Sequence, residues 1–266
     1  MNQVLTIAAA SVREHSRRKL IMFFVGASLI LAAGLAYFTL RQGEGSPLAL
    51  PVNLTANRFM GFLALIAALA VSMGNIGRPF ADGEAAMLLA RPVARWQYAA
   101  GRLLASVLVV GGLCALMVVE LQAVRLLDGS GISSGLWGYW AVQWFNLTLI
   151  VSIATLLSVV IGNPVIVAVC TYFIDQLMSG ISFLYRSAEL GRIAGEASGV
   201  IKFLWYVTPK QLSSALFLRE LGAGSAEARQ VMEALVGNTA TMALWATAYL
   251  AGIIALTMAL VARKEL

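Results

Sequence analysis

Six long runs of apolar residues, separated by shorter polar stretches, dominate the chain. They cover approximately residues 20–40, 58–77, 103–124, 138–162, 165–185 and 239–262. Each run approaches the ~20 residues that an α-helix needs to cross the hydrocarbon core of a bilayer. Backbone groups cannot remain unpaired in lipid, so runs of this length predict membrane-spanning helices. The pattern therefore predicts an all-α integral membrane protein with six transmembrane helices, forming a single domain over residues 1–266.

The residues before the first run predict an amphipathic helix. Leu5, Ala8, Ala9 and Val12 recur at helical spacing, and basic residues follow them. A helix of this kind is typical of segments that lie along the inner membrane surface. A cleavable signal peptide is the competing interpretation, but the run at 20–40 is longer than the ~7–15 apolar residues of such a peptide. We therefore expect residues 20–40 to be the first span.

The distribution of lysine and arginine predicts the orientation of the spans. Basic residues next to spans are retained on the cytoplasmic side, and this places both termini and the segment 78–102 in the cytoplasm. The prediction is a multi-pass protein of the cell inner (plasma) membrane. The ten basic residues on the predicted inner side are Arg13, Arg17, Arg18, Lys19, Arg78, Arg91, Arg95, Arg102, Arg263 and Lys264, against Arg41, Arg58 and Arg125 in the two short outer loops.

The longest segment outside the predicted spans, residues 186–238, is expected to be external. Within it, Val200–Val207 is apolar but too short to cross a bilayer, and Thr208-Pro209 should end any helix there. We expect short helices packed over the outer mouth of the bundle. Three roles remain open for them: a lid, a docking surface for a periplasmic or extracellular accessory protein, and a plain structural cap.

Composition favours a membrane protein over a soluble or nucleic-acid-binding one. The chain is 60% hydrophobic and 12% charged, whereas soluble domains contain about 25% charged residues. The net charge of +6 comes from basic residues beside apolar runs, where they meet anionic lipid. No basic stripe interleaved with aromatic residues lies on a polar segment, so the lipid bilayer is the expected partner and nucleic acid is not.

The sequence contains no recognisable nucleotide-binding or catalytic motif. A P-loop needs a Gly-Lys pair, and the chain has none. His15 is the only histidine, which argues against histidine-based metal sites. We therefore expect no catalytic residues, metal or cofactor in this chain, and we expect any ATP hydrolysis to occur in a separate protein.

The segment 78–102 between the second and third runs predicts a short helix and an elbow. Asp82 can cap the helix, and Glu84 lies in its first turn, where the helix dipole favours a carboxylate. Pro92 disfavours a helical conformation at Arg91, so the helix should end there. An exposed apolar face would suit a soluble partner, but an interfacial loop whose leucines enter the lipid headgroups is equally consistent. That face comprises Met87, Leu88 and Leu89.

The residues E-A-A-M-L-L-A-R-P-V-A-R-W-Q-Y-A-A-G-R, at 84–102, resemble the loop after the second span of ABC-2 type transporter permeases. That loop has an acidic residue, paired leucines, a basic residue before proline, a further arginine, an aromatic residue and a closing Gly-Arg or Gly-Lys. The six-run layout and the ending Arg-Lys-Glu-Leu extend the resemblance over most of the chain.

The resemblance implies a permease subunit of an ABC exporter. In that family two six-span chains, identical or different, form the pathway, and two separate ATPase subunits bind ATP and Mg beneath them. The loop after the second span engages the ATPase, and many members have a partly re-entrant, proline-containing segment between the last two spans. The coupling residues implied here are Asp82, Glu84, Met87, Leu88, Leu89, Arg91, Pro92 and Arg95.

Asp175 is the most unusual residue within an apolar run. It lies near the middle of the fifth run, beside Gln176, where a charge is unfavourable by ~2.5–3.5 kcal/mol or more and usually faces protein or water. We interpret Asp175 and Gln176 as groups of a pathway or a subunit interface; an acid that only fixes packing is the alternative. Two other functions also remain open, namely a membrane scaffold or assembly factor and an ion-coupled carrier that uses Asp175.

Overall fold

The structure, a computed structural model, describes residues 2–17, 19–42, 49–76, 94–127, 129, 131–189, 196–209, 211–212 and 239–263. All regular elements among these residues are α-helices, which confirms the predicted all-α class. In chain order they are α1 (Asn2–Ser16), α2 (Lys19–Gln42), α3 (Ala49–Ser72), α4 (Arg95–Leu127), α5 (Ser134–Val160), α6 (Pro164–Glu189), α7 (Glu196–Val207) and α8 (Thr239–Arg263).

Five stretches of the described chain are long and apolar enough to cross a membrane, as expected of a multi-pass membrane protein. They are Lys19–Phe38, Arg95–Leu127, Ser134–Val160, Pro164–Tyr185 and Met242–Arg263. Each coincides with one of the predicted spans. The remaining predicted span, 58–77, overlaps Arg58–Ser72 in α3, an apolar stretch that is shorter than the ~20 residues of a full crossing.

Helices α4 and α5 form the centre of the bundle. About half of each spanning stretch is buried, 50% for α4 and 56% for α5, whereas the corresponding figure for α2, α6 and α8 lies between 17% and 22%. Helix α4 contacts α1, α2, α3, α5 and α8. Apolar side chains from α4 and α5 dominate the core, and the outer helices leave most of their apolar surface to lipid or to other protein.

One end of the bundle, which we call the base, is closed by a small apolar cluster of Ile76, Ala99, Val159 and Val261. The cluster joins the residues just after α3 to the beginning of α4 and to the ends of α5 and α8. Helix α4 begins at Arg95, well before the predicted start of the third span at 103. Residues 95–102, predicted as part of the segment outside the span, are therefore the first two turns of a 33-residue helix.

Helix α1 covers the predicted N-terminal helix, and the side that it packs against protein is not the apolar face that the sequence predicts to lie on the membrane. Leu5 and Ala9 are exposed, whereas Ala8, Ser11 and His15 are buried. Helix α1 packs against the beginning of α4, and small side chains on the facing side permit a close approach. The leucine that defined the predicted apolar face is left for lipid, which is consistent with an interfacial helix.

Helix α7 lies within the predicted external segment 186–238 and packs against α6. It ends at Val207, where Thr208-Pro209 predicted the end. The rings of Tyr185 and Trp205 stack at a centroid distance of 4.0 Å and an interplanar angle of 11°, so the two helices form a hairpin. The remainder of the segment, beyond 212, lies outside the described residues.

Candidate functional site

Seven of the eight predicted coupling residues lie outside the described residues. They are Asp82, Glu84, Met87, Leu88, Leu89, Arg91 and Pro92. The eighth, Arg95, is the first residue of α4. The structure describes the residues that flank the segment 77–93 on each side. Both flanks are hydrogen-bonded within the base of the bundle.

Asn75 fixes the first side of this segment. Its side-chain amide nitrogen donates to the carbonyl oxygen of Arg102 at 3.0 Å and to Oγ of Ser106 at 2.8 Å. The residue is buried. Because each such bond contributes about 1 kcal/mol net, and an unmade one costs more, Asn75 holds the chain that leaves α3 against the second and third turns of α4.

Arg102 fixes the second side, and it does so through α1. It is buried in the second turn of α4, and its Nη1 donates to Oε2 of Glu14 at 2.7 Å. Its Nε donates to the hydroxyl oxygen of Tyr98 at 3.2 Å. Since the Glu14 side chain is 47% exposed, solvent screens the ion pair and reduces its contribution to stability. The pair therefore serves mainly to set the position of α1 on α4.

Gly101 allows α1 to approach α4 this closely. A Cβ at this position would lie 2.7 Å from Cγ2 of Ile7 and 3.0 Å from the carbonyl oxygen of Val4. The first contact is shorter than real Cβ contacts, so any side chain at position 101 must displace α1. We call Val4, Ile7, Glu14, Gly101 and Arg102 the α1–α4 junction. Sequence analysis did not identify this junction. The opposite charges of Glu14 and Arg102, each beside an apolar run, were the signal that could have predicted an ion pair.

The second candidate site surrounds Asp175, at the middle of α6. Oδ1 of its buried carboxyl group accepts from Nε2 of Gln211 at 2.7 Å, and Oδ2 accepts from Nε2 of Gln176 at 3.1 Å. Gln211 in turn accepts from Oγ of Ser179 at 3.1 Å. Among the described residues, the carboxyl group thus contacts amides and no lysine or arginine. The structure brings Asp175 and Gln176 together with Gln211, a residue that sequence analysis did not single out.

A second polar contact holds the neighbouring residue, Leu212. Nδ2 of Asn146, at the middle of α5, donates to the carbonyl oxygen of Leu212 at 3.0 Å, and Oδ1 accepts from the Leu212 amide at 2.8 Å. Asn146 is buried. Non-helical backbone at membrane depth is stable only where its polar groups are bonded within protein. Asn146 supplies both bonds that the backbone of Leu212 needs.

The end of α7 is bonded at the same depth by α8. The hydroxyl of Tyr249, near the middle of α8, donates to the carbonyl oxygens of Tyr206 and Val207 at 3.1 and 2.7 Å. Helices α5, α6 and α8 therefore each form hydrogen bonds, from residues near their midpoints, to the end of α7 or to the residues that follow it. We call Thr208, Pro209, Gln211 and Leu212 the post-α7 segment. The four residues of this segment are partly buried, and helix α7 itself packs on α6 with most of its described side chains exposed.

The described part of the chain contains no group of three histidine, cysteine, aspartate or glutamate side chains that could hold a metal ion. Its cysteines, Cys114 and Cys170, are free thiols. Comparison with protein-family models and with curated proteins gives no match to this chain.

Proposed function

We propose that the chain is the permease subunit of an ATP-binding cassette transporter of the ABC-2 type, an exporter driven by a separate ATPase subunit. The observation that carries the proposal is that both flanks of the segment 77–93 are held by hydrogen bonds. Asn75, which follows α3, bonds to Arg102 in α4, and Arg102 bonds to Glu14 in α1. A segment that receives force from a soluble motor needs firmly held ends, because only then is its displacement passed to the helices that it joins.

In this proposal the base of the bundle lies on the cytoplasmic side of the inner membrane. Helix α3 also crosses the membrane, which brings the number of spans to six. ATP and Mg²⁺ are bound and hydrolysed in the partner subunit, which pushes on the segment 77–93. Asn75 and the α1–α4 junction transmit that displacement to α4. Because α4 contacts five other helices, its movement changes the whole bundle. Asp175, Gln176 and the post-α7 segment lie where a pathway through the membrane would be opened or closed.

A substitution in the coupling segment tests the proposal. Leu88→Asp is expected to leave membrane insertion unchanged and to reduce co-purification of the ATPase subunit at least about tenfold, because burying an uncompensated carboxylate opposes docking. The measurement is the amount of ATPase recovered with the tagged chain from detergent-solubilised membranes, together with its ATP hydrolysis rate.

Ile132→Asp is the matched control for Leu88→Asp. It makes a similar apolar-to-acidic change at an exposed residue beyond the opposite end of α4, and it should leave recovery of the ATPase unchanged. Equal recovery with both variants contradicts the proposed docking site. Failure of the unmodified chain to recover any ATP-hydrolysing subunit contradicts the permease function itself.

An ion-coupled carrier is the second candidate function, favoured because the described partners of the Asp175 carboxyl group are amides and include no basic side chain. If the chain is a permease driven by ATP, we expect proteoliposomes containing it alone to show no flux driven by a proton or sodium gradient. Asp175→Asn should then behave as the unmodified chain does. A pH-sensitive dye and a sodium-sensitive dye inside the vesicles measure the flux. A gradient-driven flux that Asp175→Asn abolishes would establish the carrier instead.

A further inference from the structure

An apolar groove runs along the surface of the bundle between the two central helices, α4 and α5, and we call it the α4–α5 groove. Its volume is about 390 Å³, within the range of small-molecule sites in proteins. On α4 its lining extends from Leu108 to Val118, which corresponds to about 15 Å along a helix axis. That length is half of the ~30 Å hydrocarbon core, so the groove is as long as one leaflet of the bilayer.

Small residues leave the space of the groove, and a tryptophan borders it. Gly112 and Ala115 line the groove and are exposed, and a Cβ added at Gly112 would meet nothing within 4 Å. At Gly111, in contrast, a Cβ would lie 2.8 Å from Nε1 of Trp144. The glycine therefore lets Trp144 lie against α4, where its Nε1 donates to the carbonyl oxygen of Val107 at 3.1 Å.

Trp140 brings an unsatisfied polar atom to the same groove. The residue lines the groove and is only 1% exposed. Its Nε1 has no hydrogen-bond acceptor within the described part of the chain. Buried indole N–H groups usually have a partner, as that of Trp144 does, and leaving a buried donor unsatisfied is unfavourable. We therefore expect the acceptor to come from a molecule in the groove.

The depth of Trp140 indicates which acceptor is available. Trp140 lies less than two turns from Ser134, the first residue of α5, and hence near the end of the bundle opposite the base. Tryptophan rings at such positions lie at the level of the lipid headgroups. The ester carbonyl groups of phospholipids are acceptors that lie at that boundary, whereas the hydrocarbon beyond it offers none.

The width of the groove distinguishes a lipid chain from a protein helix. Spread over about 15 Å, its volume gives a mean cross-section on the order of 26 Å². An α-helix with its side chains is about 10–12 Å across, which is roughly three times that area or more. A single extended hydrocarbon chain is the component of a membrane that fits.

We propose that the α4–α5 groove binds one acyl chain of a bilayer phospholipid, with the ester carbonyl oxygen of that chain accepting a hydrogen bond from Nε1 of Trp140. The acyl chain lies along Gly112 and Ala115, toward the middle of the membrane. The lipid thus contacts both central helices and supplies the acceptor that the described protein lacks.

A comparison of ester-linked and ether-linked lipids tests the hydrogen bond. The delipidated full chain in detergent is titrated with dioleoyl phosphatidylethanolamine or with its diether analogue, which has the same chains and headgroup but no carbonyl groups. Native mass spectrometry measures the two dissociation constants. The diester is expected to bind about two- to tenfold more tightly, the factor that one net hydrogen bond supplies. Equal affinities overturn the proposal.

Trp140→Phe should abolish this preference, because phenylalanine keeps an aromatic ring and removes the donor. The ratio of the two constants is the measured quantity, so a general loss of affinity in the variant does not affect it. Trp137→Phe is the matched control, since Trp137 also lines the groove but is 48% exposed, and it should keep the preference. A preference that survives in Trp140→Phe overturns the assignment of the donor.

Filling the groove tests its position. Gly112→Leu should weaken binding of both lipids at least about tenfold, because the new side chain displaces several methylene groups of the acyl chain. Gly252→Leu makes the same change at an exposed glycine of α8 where a Cβ also meets nothing within 4 Å, and it should leave the affinities unchanged. Equal effects of the two variants overturn the proposal, as does a Gly112→Leu variant that releases a co-purifying protein and retains the lipid. None of these measurements requires an ATPase subunit, so the result is independent of the proposed function.

Discussion

Replacing Asn146 with leucine is expected to release Leu212 from α5 and to raise hydrogen exchange of the Leu212 backbone amide by about two orders of magnitude. The Asn146 side chain satisfies both the amide and the carbonyl group of Leu212. Leaving a buried backbone group unsatisfied costs ~1–3 kcal/mol, so the loss of both bonds corresponds to roughly 2–6 kcal/mol. A loss of ~3 kcal/mol, within that range, accounts for an exchange increase of about a hundredfold.

The increase should be confined to the post-α7 segment and the end of α7. Hydrogen exchange followed by mass spectrometry, on the chain in lipid nanodiscs, measures it. Thr148→Val is the matched control, because Thr148 lies on the same helix and, within the described part of the chain, its hydroxyl bonds only to the carbonyl oxygen of Trp144 in α5 itself. Exchange that is equal in both variants would show that Asn146 does not hold the segment.

The Asn146 experiment also bears on how a pathway could open. Gln211 and Leu212 are held by α6 and α5 respectively, so a movement that separates these helices must break one set of bonds. A segment held in this way links α5 to α6 until the helices part. In the proposed exporter, movement at the base would thus be converted into release of the post-α7 segment.

Replacing Gly101 with leucine is expected to detach α1 from α4. The new Cβ alone would lie 2.7 Å from Cγ2 of Ile7 and 3.0 Å from the carbonyl oxygen of Val4. Overpacking of this kind typically costs ~1–3 kcal/mol, and relief by moving α1 also breaks the bond between Glu14 and Arg102. Tryptic cleavage after Arg13 and Arg17 should therefore accelerate by roughly ten- to a hundredfold, following the population of detached α1.

Gly112→Leu provides the control for Gly101→Leu. It introduces the same side chain into the same helix, at an exposed position where a Cβ would meet nothing within 4 Å. Cleavage in α1 should be unchanged in this variant. If Gly101→Leu is cleaved no faster than Gly112→Leu, the close contact at Gly101 does not hold α1 in place.

Hydropathy predicted the helical class and most element positions because each depends on residues that are close in sequence. An apolar run long enough to cross a bilayer has few alternatives to a helix, since its backbone must bond internally. The end of α7 at Val207 was likewise predicted from neighbouring residues, because Thr208-Pro209 ends a helix. The start of α4 at Arg95 was missed, because the turns before residue 103 depend on α1, which contacts Gly101 and gives Arg102 a partner.

The sequence also did not identify which side of α1 packs against α4. Periodicity selected Leu5, Ala8, Ala9 and Val12, yet the structure buries Ala8 together with Ser11 and His15. In a membrane protein an apolar face can turn to lipid as readily as to protein, so hydrophobicity alone does not identify the packed side. The packed side was decided by shape, through the glycine at position 101 in the facing helix.

By itself the sequence determined an all-helical, multi-pass membrane chain with a carboxylate in the middle of one span. Tertiary structure decided which polar groups meet. Asn146 and Leu212 are 66 residues apart in sequence, Glu14 and Arg102 are 88 apart, and Asp175 and Gln211 are 36 apart. Hydropathy is a property of neighbouring residues, whereas a hydrogen bond requires two particular atoms within about 3 Å of each other. Only the packing of the helices brings such distant atoms together.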